Sequence, residues 1–150
     1  MAAKTGFRYV KSLSGHNTAA REHFIVKNSE VITKGDAVRI TSGYLVPAGA
    51  TTSAIGVADQ TVTGATATGV TCEVIIDPTA VYEVYSDATC AQATMGTYFD
   101  LTGTTGAQYL DGDTTTTTGT FIGLTTDGAT TNSKVTVMIA DYKRLSYFDA

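Results

Sequence analysis

Residues 70–77 read VTCEVIID, the strongest β-strand pattern in the chain. Side chains alternate between the two faces of a strand, so Cys72, Val74 and Ile76 share one face of this segment. A similar segment, VTVMIAD, occupies residues 135–141. The pattern therefore predicts the strongest strand of each half of the chain.

Three further pairs of segments recur in the same order, which predicts an internal repeat. Residues 35–41 match residues 96–102, residues 44–46 match residues 109–111, and residues 55–57 match residues 122–124. We therefore predict two half-repeats, covering about residues 24–77 and 81–142, that are related by a pseudo-twofold.

Each half is predicted to follow one plan. A glycine turn leads into a strand whose inward residues are Val38 and Ile40 in the first half and Phe99 and Leu101 in the second. In the first half, the dipeptide at residues 42–43 (Ser-Gly) predicts a tight hairpin turn.

Three other segments complete the predicted plan. Gly56 predicts a close approach between backbones. Residues 81–85 add an alternating strand, while the polar residues 59–69 and 112–119 are expected to be solvated connectors.

Composition indicates a single β-rich domain. The chain has 150 residues, of which 43% are hydrophobic and 16% charged, with 15 glycines and 2 prolines. Threonine and valine suit a pleated sheet, while glycine suits the turns. The predicted fold class is all-β, either a compact β-barrel or a β-sandwich. The sequence contains no apolar run of membrane-spanning length, and its beginning has no signal-peptide segment, so we expect a cytoplasmic origin and no membrane partner.

Charge is unevenly distributed. Residues 1–21 carry four basic residues and no acid, whereas residues 41–132 carry nine acids and neither lysine nor arginine. Nucleic-acid binding requires a basic face, so the acidic body argues against a nucleic-acid partner. The basic segment, residues 1–21, is interpreted as an extended N-terminal arm preceding a β domain at residues 22–150. The arm is either a solvated tail or a segment that docks on a partner.

The sequence contains no recognisable catalytic or cofactor motif, so the chain is predicted not to be an enzyme and to need no cofactor. His16 and His23 lack the further ligands of a metal site. Cys72 and Cys90 are either two free thiols or one disulfide bridge. Residues 111–113 (Asp-Gly-Asp) resemble a calcium turn but lack the later acidic ligands, so a plain turn and no metal are expected.

The arm has the pattern of a strand that binds another protein. Phe7 and Tyr9 fall on one side, and Arg8 and Val10 on the other. Such a segment can add to an exposed sheet edge of a partner, and its basic residues suit an acidic groove. The candidate binding residues are Lys4, Phe7, Arg8, Tyr9, Val10 and Lys11.

Several segments resemble a known family. Residues 54–61 (AIGVADQT), 72–76 and 82–85 resemble the central segment of lambda-type phage head decoration proteins. Residues 34–38 and 45–48 are similar to parts of other small phage capsid cement proteins. The resemblance covers roughly residues 30–86, and the C-terminal half is longer than in the lambda type.

This resemblance implies a β-tulip-like domain that forms homotrimers at local threefold positions on the outer surface of an icosahedral phage capsid. There it would clamp neighbouring capsomers and stabilise the expanded head, with the arm contacting the major capsid protein. The expected location is the virion, after synthesis in the cytoplasm of a bacterial host. Two alternatives stay open: another virion structural module from a tail or fibre, and a glycan-binding β-module that uses exposed tyrosines.

Overall fold

The structure is a computed structural model that describes residues 5–15, 18–50, 52–65 and 67–140. Within these ranges the regular structure consists of β-strands and one 3-10 turn at Gln92–Thr94. The strands are β1 (Arg8–Ser12), β2 (Arg21–Ile25), β3 (Val31–Ile32), β4 (Ala37–Thr41), β5 (Tyr44–Pro47), β6 (Gly56–Ala58), β7 (Val62–Thr63), β8 (Thr71–Ile75), β9 (Ala80–Tyr85), β10 (Tyr98–Thr102), β11 (Tyr109–Thr116), β12 (Phe121–Thr126) and β13 (Lys134–Ile139). In the described part of the chain, no helix has the length and apolar character needed to cross a bilayer.

The strands form two main sheets and a small third one. The six-stranded sheet has the order β1-β9-β13-β12-β10-β11, the five-stranded sheet has the order β2-β8-β6-β4-β5, and β3 pairs with β7. The all-β prediction is confirmed. The closed barrel is wrong for the described residues, because both sheets keep open edges and together make a sandwich-like domain.

The two halves of the chain share one strand order. The order β8-β6-β4-β5 in one sheet corresponds to β13-β12-β10-β11 in the other, with β2 and β9 in matching positions. In the first hairpin Ile40 pairs with Leu45, and in the second Leu101 pairs with Leu110. This is the topology that a sequence repeat produces.

Isolated parallel bridges strengthen this correspondence. Val26 bridges Leu45, and Ser86 bridges Leu110. Each bridge draws the residue after β2 or β9 towards the edge strand of its own sheet, β5 or β11. The halves differ in register between their middle strands, since Val38 pairs with Gly56 whereas Phe99 pairs with Phe121 rather than with Gly123.

Two local predictions have clear structural reasons. The turn between β4 and β5 has positive φ angles at Ser42 (51°) and Gly43 (86°), as a two-residue type I′ hairpin requires. A Cβ on Gly56 would lie 1.9 Å from the carbonyl oxygen of Ile75 on the neighbouring strand. Only glycine therefore permits this approach of β6 to β8.

The predicted loop over residues 112–119 is largely wrong. Strand β11 runs from Tyr109 to Thr116, so the threonines at its end pair with β10 instead of forming a solvated connector. Threonine favours strands through its branched Cβ, which outweighs the polar composition of this stretch. Residues 59–69 include the short strand β7.

The core consists of two clusters. One occupies the first half, where Val38, Leu45 and Val74 are fully buried. The larger one joins the six-stranded sheet to the other and contains the rings of Phe99 and Phe121. Cys72 and Cys90 belong to different clusters and are both free, so the prediction of two free thiols is confirmed over a disulfide bridge.

Buried polar contacts connect the two halves. The side-chain oxygen of Gln108 accepts a hydrogen bond of 2.7 Å from the backbone N–H of Ala37. The Asp36 carboxylate, only 1% exposed, accepts bonds of 2.9 Å from the N–H groups of Thr33 and Gly106 and another from the Thr105 hydroxyl. Because a buried carboxylate requires such donors, Asp36 holds the loop after β10 against the first half.

Candidate functional site

The described part of the N-terminal segment belongs to the fold. Strand β1 pairs antiparallel with β9 and forms one edge of the six-stranded sheet. Phe7, just before this strand, is 4% exposed, and its ring stacks on Phe121 with centroids 4.6 Å apart. The extended arm predicted for residues 1–21 is therefore wrong for the described residues, and Phe7 is a core residue rather than a partner contact.

Two further residues of the predicted site contact β9. The ring of Tyr9 makes an edge-on contact with Tyr82, with centroids 6.4 Å apart. The Nη2 atom of Arg8 donates a 2.7 Å hydrogen bond to Glu83 Oε1, and this carboxylate raises the pKa of Arg8. The Arg8 side chain is 69% exposed, so this surface pair adds little stability but limits where the guanidinium points.

The outer face of β1 is open to solvent. Val10 and Leu13, the residue directly after the strand, are 43% and 57% exposed, and Lys11 is also exposed; we include Leu13 in this outer face. The pairing with β9 shifts between Tyr9 and Lys11, which leaves Val10 at a β-bulge. Bulges and charges on an edge strand oppose unspecific strand pairing, so this edge favours recognition by side chains. Lys4 lies outside the described residues.

Other predicted residues have ordinary structural roles. Arg21 begins β2 and pairs with Asp59 at 3.2 Å and with Glu73 at 3.4 Å. His23 is exposed and lies 3.5 Å from Glu73, whereas His16 lies outside the described residues. These described side chains therefore form ion pairs at the surface of the sheet, without the ligand arrangement of a metal site.

A second group of polar residues lines a cavity of about 380 Å³ next to β4 and β5. Lys27, Glu30, Arg39 and Thr41 contribute charged and polar side chains to its wall. The Nε atom of Arg39 and the hydroxyl of Thr41 are buried and have no hydrogen-bond partner within the described ranges. Among the described ion pairs, none involves Lys27 or Arg39. The cavity, which we call the basic cavity, thus carries positive charge that no described ion pair neutralises and that Glu30 only partly offsets.

An acidic cluster lies in the second half. One carboxylate oxygen from each of Asp87, Asp111 and Asp113 lies within 4.8 Å of the others. Residues 111–113 are part of β11, so the plain turn predicted there is wrong. A Cβ on Gly112 would lie 2.1 Å from Ser86 Oγ, which shows that residue 112 faces inward while its two neighbours project outward together.

The acidic cluster is electrostatically strained. Partial burial, a hydrogen bond with Asp113 and the negative charges of Asp87, Asp113 and Asp100 raise the pKa of Asp111 to about 6. Carboxylates in this arrangement can share a proton, receive a divalent cation or bind a cationic side chain.

The two thiols are poorly suited to nucleophilic chemistry. Burial raises the pKa of Cys72 to about 11 and also raises the pKa of Cys90. The thiolate is the reactive form, so both side chains are protonated at neutral pH and act as core residues.

Sequence reasoning missed the basic cavity and the acidic cluster. Arg39 falls between the apolar residues Val38 and Ile40, and Lys27 follows an apolar segment that predicts a strand. Asp87 is distant in sequence from residues 111–113. The one available signal was the repeat itself, because aligning its halves places Arg39 opposite Asp100.

No protein-family model matches the chain, and neither the curated proteins nor the solved structures contain a significant match.

Proposed function

We propose that this chain is a structural virion protein that binds the outer surface of an icosahedral phage capsid. It acts as a homotrimer at local threefold positions and stabilises the expanded shell by clamping neighbouring capsomers. The resemblance of residues 54–61, 72–76 and 82–85 to head decoration proteins supports this assignment. The observation that carries the binding role is the outer face of β1, where exposed Val10 and Leu13 lie beside the cations Arg8 and Lys11.

The outer face of β1 suits a protein partner. Its aliphatic side chains provide apolar contact area, while its cations provide attraction to an acidic groove of the major capsid protein. Phe7 anchors the strand to the core, so residues 8–12 are ordered before binding. A preformed strand avoids the ordering cost of ~1–2 kcal/mol per residue that a free arm would incur.

Point substitutions on this face provide the test. Val10→Asp and Leu13→Asp place a charge on exposed positions, and we expect each to weaken co-sedimentation with expanded capsids of the cognate phage by at least about tenfold. Val31→Asp is the matched control, because Val31 on β3 is also 43% exposed. Binding of Val10→Asp and Leu13→Asp that equals the control would overturn the assignment of this face. Binding of none of the proteins, wild type included, would overturn the capsid assignment.

Deletion of residues 1–15 is unsuited to this purpose. It removes Phe7 from the core and the whole of β1 from the sheet. Loss of binding by such a variant would report unfolding as much as lost contacts.

A further inference from the structure

The basic cavity and the acidic cluster occupy matching places in the two halves. The N–H of Lys27 bonds the Leu45 oxygen at 3.0 Å, and the N–H of Asp87 bonds the Leu110 oxygen at 3.0 Å. Leu45 and Leu110 are themselves equivalent, because they hold the same position in the matching hairpins. Lys27 and Asp87 are therefore structural counterparts of opposite charge.

A second pair of counterparts has the same sign reversal. Arg39 directly precedes Ile40, which pairs with Leu45, and Asp100 directly precedes Leu101, which pairs with Leu110. Two cations in the first half thus stand where the second half has two carboxylates. Asp111 and Asp113 add to the negative side, while Glu30 in the cavity wall offsets one cation.

Among the described residues, the charges of neither surface form an ion pair. Lys27 and Arg39 take part in no described ion pair, and the Arg39 Nε and the Thr41 hydroxyl are buried without a partner among the described residues. The carboxylates of Asp87, Asp111 and Asp113 repel one another across less than 5 Å. A guanidinium and a carboxylate can form a charge-assisted, bidentate pair that is stronger than neutral hydrogen bonds, so each surface carries the group that the other lacks.

We propose that the basic cavity of one copy of this chain binds the acidic cluster of a second copy, so that copies associate head to tail. Such a contact joins unlike surfaces and leaves one cavity and one cluster free at the ends of a pair. Further copies add until the rotation closes a ring. The inference rests on the self-association that the proposed function requires, and it names the interface.

Exposed charges at the two counterparts allow a direct test. Lys27 and Asp87 both lie at the surface, so Lys27→Glu and Asp87→Lys reverse one charge without disturbing the core. We expect sedimentation velocity of the full chain to show oligomers for the wild type at micromolar concentration. Each variant is expected to associate at least about tenfold more weakly. Lys11→Glu makes the same charge change on the exposed outer face of β1 and is expected to associate like the wild type.

A mixing experiment distinguishes direct pairing from a general loss of stability. In an equimolar mixture, the Lys27→Glu cavity faces the Asp87→Lys cluster, and the remaining cavity and cluster keep their original charges. Alternating pairs of the two variants are therefore expected to return on mixing. A ring of three copies cannot alternate two variants, so it is expected to return only in the Lys27→Glu/Asp87→Lys double variant. A monomeric wild type, charge-reversed variants that associate like Lys11→Glu, or failure of the Lys27→Glu/Asp87→Lys double variant to form oligomers would each overturn the inference.

The two proposals fail separately. Val10→Asp and Leu13→Asp should leave self-association unchanged, because β1 contributes to neither the cavity nor the cluster. A chain that associates through these charges without binding capsids would overturn only the proposed function. A chain that binds capsids but stays monomeric in solution would overturn only this inference.

Discussion

Replacing Phe7 by alanine tests whether the N-terminal segment is part of the fold. Phe7 is 4% exposed and stacks on Phe121, which is fully buried on β12. Truncating a buried phenylalanine typically lowers the free energy of unfolding by about 3–5 kcal/mol, through lost burial and the cavity left behind. About 0.5–1.5 kcal/mol of that belongs to the ring-to-ring contact. Total stabilities of single domains are about 5–15 kcal/mol, so Phe7→Ala should remove a large share.

Urea unfolding followed by far-ultraviolet circular dichroism measures this loss. Val10→Ala is the matched control, because Val10 lies three residues further along, in β1, but is 43% exposed. Its effect should stay within about 0.5 kcal/mol. A decrease below about 1 kcal/mol for Phe7→Ala would refute the burial of Phe7 and restore the extended arm.

Two further substitutions probe the buried and clustered carboxylates. Asp36→Ala removes the acceptor of the Thr33 and Gly106 N–H groups, so we expect the free energy of unfolding to fall by about 2–4 kcal/mol. Asp36→Asn keeps one acceptor oxygen and should cost less; equal losses would contradict the role assigned to hydrogen-bond acceptance. In the folded protein the pKa of the Asp111 carboxyl is raised to about 6. Between about pH 4 and 6 this carboxyl is therefore protonated in the folded chain but ionised in the unfolded chain, so the free energy of unfolding falls as the pH rises. At pH 7 the free energy of unfolding of Asp111→Asn should therefore exceed that of the wild type by about 1 kcal/mol, a value that allows for the partial exposure of the carboxyl. At about pH 3.5 the two proteins should be equally stable. Chemical denaturation at both pH values, at protein concentrations below self-association, checks this; a pH-independent difference would contradict it.

Local sequence patterns predicted most of the strands and the first hairpin. Alternation of apolar residues located β8 and β9, and the Ser-Gly pair at residues 42–43 located the first hairpin. The four recurring segments correspond to strands in the same order in both sheets. These features depend on backbone geometry and side-chain period, which neighbouring residues determine on their own.

Long-range contacts decided the rest. The pattern of Phe7 and Tyr9 predicted a strand that joins a sheet edge, but only the tertiary structure shows that the edge is β9 of the same chain. Residues 112–116, which composition assigned to a loop, belong to strand β11, because pairing with β10 satisfies their backbone hydrogen-bonding groups.

The opposite charges at matching positions of the two halves were recognised only from the sequence and the tertiary structure together. The amino-acid sequence alone determined an all-β chain with a repeat and an uneven distribution of charge. Only the tertiary structure brought Asp87 to residues 111–113 and showed that Lys27 and Arg39 line one cavity. The physical reason is that the alternation of side chains along a strand depends only on neighbouring residues. The residues that surround a charge depend instead on which strands pair and in which register.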